Sequence, residues 1–181
     1  MKALAALVLV TFAAGGAQAA RDPWRPLHRP LRIAQLAPGG ACPTTTARGT
    51  IPSLGSMPAW GTGPMSPVVP GARDRLVVQL AHEEGLGAEW AVEKVLWMPT
   101  TAYRGPLLIR GRQLDGPNEV RFEDGVPGFT PAARLRPVRE LRIYGGRGHP
   151  ATTRVRASGC YAWQLDGTGF TRTIVFEAVV A

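Results

Sequence analysis

This 181-residue sequence has few of the residue types that most often carry chemistry. It holds three histidines and two cysteines, and its only lysines are Lys2 and Lys94. None of His28, His82 and His149 sits in an H-E-x-x-H pattern or four residues from another ligand type. That removes the helical zinc site of a metallopeptidase. His82-Glu83-Glu84 reads as a solvated turn. No G-x-S-x-G elbow is present, and Ser53, Ser56, Ser66 and Ser158 lie in loop-like contexts. The glycine-rich stretch 145–150 runs into His149-Pro150 and a strand pattern, so it lacks the helix start that a phosphate cradle needs. Asp115-Gly116, Asp124-Gly125 and Asp166-Gly167 lack calcium-loop spacing and read as turns. No metal or cofactor is expected from these residues.

Long apolar runs are also missing, except at the start. Lys2 is followed by an apolar run over 3–14, about a dozen residues and too short for a ~30 Å bilayer core. Ala17-Gln18-Ala19 then supplies a small-x-small cleavage site. Residues 1–19 are read as a secretory signal peptide, and the mature chain is expected to be secreted or periplasmic with no transmembrane segment. Residues 20–41 are rich in proline and arginine with weak apolar periodicity, and read as an extended or disordered leader. The rest, 42–181, suits one domain.

Cys42 and Cys160 fit an oxidising compartment. If bridged, they close a loop of roughly a hundred residues, and the chain-entropy account gives about 4–5 kcal/mol of stabilisation. Two separate buried thiols are the alternative at this point.

What the sequence does hold is arginine and strand patterning. Net charge is +8. Such an excess favours attraction to acidic envelope polymers. Nucleic acid is not expected as a partner, since no binding motif accompanies the charge. Residues 42–72 read as irregular loop with one short edge strand. Beyond them, short strand patterns recur with turn signals between. They are RLVVQL, AEWAVEKVLWM, GPLLIRGRQ, VRF, ELRIY, TTRVR, CYAWQL and FTRTIVFEAVV. In the second, β-branched and aromatic content favours a strand over a helix. Leu107, Ile109, Leu141, Ile143, Ile174 and Phe176 are expected in the core. Arg110 with Arg112, and Arg154 with Arg156, fall at period two. Each pair is either a solvated sheet face or part of a basic binding surface. Trp90 and Trp97 fall on opposite faces of one strand, so one of them is a candidate ligand contact. The pattern as a whole argues an all-β sandwich.

Four pieces carry a resemblance to a known group: Cys42-Pro43, Lys94 to Trp97, Gly105 to Asp115, and Gly159-Cys160-Tyr161. With these the chain resembles a widespread family of uncharacterised secreted bacterial proteins, over 42–43 and roughly 90–181. The resemblance implies an immunoglobulin-like β-sandwich with an irregular N-terminal segment, and a Cys42–Cys160 bridge clamping that segment to the penultimate strand. It carries no assigned activity and no catalytic residues. The expected function is a non-enzymatic binding or structural module of the cell envelope, with an envelope protein or acidic polymer as partner. The competing expectations are a secreted hydrolase with a site assembled from dispersed residues, and a weak polyanion binder.

Overall fold

A computed structural model describes residues 22–82, 89–125 and 136–181. The signal peptide expected at 1–19, the turn at 83–88 and most of the loop at 125–137 lie outside them. The described chain is all-β. Its strands are β1 (Ala47–Thr50), β2 (Pro58–Trp60), β3 (Met65–Val68), β4 (Val77–His82), β5 (Ala91–Pro99) and β6 (Pro106–Gln113), then β7 (Arg121–Glu123), β8 (Leu141–Tyr144), β9 (His149–Val155), β10 (Gly159–Gly167) and β11 (Phe170–Val180). The AEWAVEKVLWM segment is therefore a strand, as its β-branched and aromatic content favours. Residues 42–72 depart from the single edge strand expected there. They form β1 and β2, which pair with each other, and β3, which pairs with the end of β5. These strands are short and interrupted by proline and glycine, which hides their periodicity.

Two sheets pack face to face, joined through β4. One runs β7-β9-β5-β4 with β3 added to β5, and the other runs β4-β11-β10-β6-β8. Val77 to Leu80 pair in parallel with the last strand, while Ala81 and His82 pair antiparallel with β5. This is the strand order of an immunoglobulin-type sandwich, with β10 in the middle of its sheet. One departure is that the chain adds β7 to one sheet before returning to add β8 to the other. The core is built from alternate residues of both sheets, as period two requires. Ala91, Val95 and Trp97 of β5 face Leu107 and Ile109 of β6, Tyr161, Trp163 and Leu165 of β10, and Ile174 and Phe176 of β11. Trp97 meets Trp163 edge-on across the sandwich at 5.3 Å, and Trp163 stacks on Phe176 at 3.9 Å. Trp60, Trp97 and Trp163 are thus core residues.

The hairpin between β10 and β11 turns on Thr168-Gly169, with Gly169 at φ +83°, a backbone setting glycine adopts without strain. Asp166-Gly167 belongs to the strand and not to the turn. Asp166 pairs with Thr171 and has no exposed surface. The short-range turn signal of Asp-Gly was overridden by a charge that the outer face of β10 holds.

Tyr161 follows the corner between β9 and β10, and its hydroxyl donates back to the Ala157 carbonyl at 2.9 Å. That is the tyrosine corner of immunoglobulin-type sandwiches, here placed one residue after a cysteine. Burial, above all, pushes the phenol up to about 12. The folded state therefore favours the neutral phenol. Its contribution is complete below pH ~10 and is lost as pH rises from ~10 through ~12. Tyr161→Phe should cost about 1 kcal/mol in urea unfolding at neutral pH. The variant should also lose less stability than the parent between pH ~10 and ~12. Equal losses in that window would refute the assignment.

Candidate functional site

The outer face of the β6-β10-β11 sheet is as buried as the inner one. Cys160, Ala162, Gln164 and Asp166 alternate with the core residues of β10, and none exceeds 1% exposure. What covers them is the N-terminal segment, which was expected as an extended or disordered leader. Over 22–45 it is a strap with one 3-10 turn at Arg25–Leu27, running antiparallel to β10 and fixed at successive points. Asp22 pairs with Arg142 at 3.2 Å, and the Trp24 indole donates to the Leu107 carbonyl at 3.1 Å. The Arg32 amide donates to Gln164 Oε1 at 2.7 Å, and Gln164 Nε2 donates to the Pro30 carbonyl at 3.1 Å. The Leu36 amide donates to the Leu114 carbonyl at 2.7 Å, and the Thr45 amide to Val175 at 2.9 Å. Ile33 packs with Leu114, Cys160 and Ala162 in a small second core, flanked by Leu36, Cys42 and Val175. The segment has too few apolar residues to fold alone. Its polar backbone is satisfied by this sheet instead.

Cys42 and Cys160 form a disulfide across 118 residues. It joins strap to sheet and not sheet to sheet. Asp115 accepts the Cys160 amide at 3.0 Å, so the turn after β6 helps fix the anchor.

Asp166 is the charge beneath the strap. Its carboxylate accepts from Arg110 at 2.7 Å, Thr171 Oγ1 at 2.7 Å and Gln164 Nε2 at 2.9 Å, with Arg29 at 3.8 Å. Arg110 also donates to the Arg29 carbonyl, and Arg112 donates to the Ile33 carbonyl. These arginines hold the strap down.

The four arginines singled out from the sequence do not form one basic surface. Arg110 and Arg112 lie on the outer face of one sheet; Arg154 is on β9 of the other, and Arg156 follows the end of that strand. Arg154 is buried at 2% exposure and ion-paired at 2.6 Å to Glu123, itself fully buried. Arg156 pairs with Glu89 and lies 4.2 Å over the Trp90 ring. Trp90 is 8% exposed beneath it, so this tryptophan is covered and offers no open ligand platform. Period-two arginine in the sequence carries no sign of such carboxylate partners, which come from distant strands.

His28 bonds Glu140 and His149 bonds Asp124, each at 2.8 Å. Among the described residues no cluster of three metal-ligating side chains occurs.

A notch of about 330 Å³ opens beside the strap at the edge of β6. Its position follows from the register. β8 covers β6 only from Pro106 to Ile109, and the next cross-strand pair is the isolated Arg112–Glu119 bridge. Leu31 of the strap and Val120 form aliphatic walls, and Arg110, Arg112 and Arg139 bring positive charge. Glu119 and Glu140 also line it, each already held. Glu119 bonds Arg121 Nε at 2.7 Å and Arg139 Nε at 3.2 Å. Glu140 bonds Arg142 Nε and His28, both at 2.8 Å. Burial works to raise the Glu140 pKa, but the bonds from Arg142 and His28 outweigh it and hold the carboxyl below its ordinary range. Glu140 is thus ionised at neutral pH, the reverse of what a general acid requires. Leu31, Val120, Glu119 and Arg139 were not singled out from the sequence; only their long-range placement makes them a site. A second cleft of about 370 Å³ lies between Arg48 of β1 and Thr62, Thr100 and Thr101, with the Thr100 hydroxyl spent on the Gly63 carbonyl at 2.6 Å.

No family model and no curated protein matches the chain. Among solved structures, the chain is similar to one described as the N-terminal domain of PorA. That likeness is 14% identical with a TM-score of 0.39, over 63% of this chain and 96% of that one.

Asp166→Asn should leave Arg110 without its counter-charge under the strap and cost about 3–5 kcal/mol in thermal or urea unfolding. Limited proteolysis of the variant should cut within 22–41 faster than in the parent. Unchanged stability and unchanged cleavage would contradict the role given to Asp166.

Proposed function

We propose that this chain is a non-enzymatic binding module of the cell envelope, folded after export in an oxidising compartment. The observation that carries the reading is the chemistry of the notch beside β6. It offers guanidinium groups and aliphatic walls, and both of its carboxylates are engaged with arginines. This suits recognition of a partner better than proton transfer or nucleophilic attack. The disulfide supports an extracytoplasmic setting. Among the described residues no helix is long and apolar enough to cross a membrane. Many arginines are spent on internal ion pairs, which argues against a diffuse cation as the main mode of binding.

The test is retention of envelope material by the purified, oxidised chain lacking 1–19, at low and at high salt. Retention that survives high salt is the expected result. Loss at high salt would favour the polyanion reading, because attraction between exposed charges is screened within about 8 Å at physiological ionic strength and about 3 Å at 1 M. No retention in either buffer, together with turnover in a hydrolase screen, would overturn the proposal.

A further inference from the structure

We infer that the notch at the edge of β6 receives a carboxylate carried on a small aliphatic group, with Arg112 as the cation that binds it. The inference rests on the binding-module reading and names the ligand class.

The charge arrangement singles out Arg112. Glu119 is spent on Arg121 and Arg139, Glu140 on Arg142 and His28, and Asp166 on Arg110. Among the described residues no carboxylate lies within ion-pair distance of Arg112. Its one hydrogen bond runs to a neutral acceptor, the Ile33 carbonyl, and its buried Nε has no partner. A guanidinium has five donors in a planar fork matched to a carboxylate, so most of its capacity is unused. Arg139 stands 77% exposed and, among the described residues, its ion pair is the one to Glu119.

The walls select the ligand further. Leu31, at 37% exposure, and Val120 flank the notch with aliphatic surface. The volume is near the low end of the range for small-ligand sites, enough for a group of about amino-acid size. Glu119 and the ionised Glu140 line the same space. Glu140 would repel a dianionic phosphate more strongly than a singly charged carboxylate.

The experiment is an NMR titration of the oxidised chain lacking 1–19, with N-acetyl-leucine, its uncharged amide N-acetyl-leucinamide, and octanoate. Saturable shifts of the Gly111 and Val120 amides with N-acetyl-leucine, absent with the amide, are expected. Arg112→Gln should weaken this binding about tenfold, while Arg156→Gln, just past the end of β9, should leave it within about twofold. Octanoate binding with the same dependence on Arg112 would also support the inference and point to a lipid-derived carboxylate. Equal binding of acid and amide, equal effects of the two variants, or no saturation would each overturn it. If Arg112→Gln retains envelope material as well as the parent does, the notch assignment fails while the binding-module reading stands.

Discussion

A carboxylate with no exposed surface sits on the outward side of a central strand, and the architecture around it follows from that placement. Burying the Asp166 charge is costly unless it is paired and hydrogen-bonded. β6 supplies Arg110, β10 supplies Gln164 and β11 supplies Thr171, all from the same sheet. None of these excludes water from the face on its own. The strap over 22–45 does so, and its Arg29 adds a second cation. Sequence, sheet register and cover are therefore one problem: a sandwich whose outer face is polar but dry needs a segment lying across it.

The disulfide makes that cover permanent. A proline-rich strap with few apolar residues loses much backbone freedom on docking and gains little burial in return. Joining Cys42 to Cys160 restricts the unfolded chain and keeps the strap at high local concentration over its sheet. The functional consequence is that the broad face of this sheet is unavailable to partners. On the proposed binding role, recognition falls to its margin, where β8 stops short along β6 and Leu31 of the strap completes a wall of the notch. The segment that closes the face thus also builds the candidate site.

The strands and inward residues from β4 onward were legible because alternation, Gly turns and β-branched content all agree there. Leu107, Ile109, Leu141, Ile143, Ile174 and Phe176 face the core as their spacing implies. The early strands were not legible; β1 to β3 are too short to show a period. The arginines were legible as period-two residues but misleading as a surface, because Glu123, Asp166 and Glu89 reach them from other parts of the chain. Asp166-Gly167 reads as a turn by local chemistry alone, which carries no trace of its pairing with Arg110. The strap reads as extended or unstructured for the same reason: its partners lie roughly eighty to a hundred and forty positions away in sequence. The notch depends on where one strand ends beside another, and no local pattern encodes that.

The most direct measurement is amide hydrogen exchange on the oxidised chain lacking 1–19. The account predicts that the Arg32 and Leu36 amides, which donate to Gln164 and Leu114, are protected together with the β10 amides, and that reducing the disulfide lowers their protection first. Exchange of the strap amides at the rate of an unstructured peptide, with β10 still protected, would contradict it.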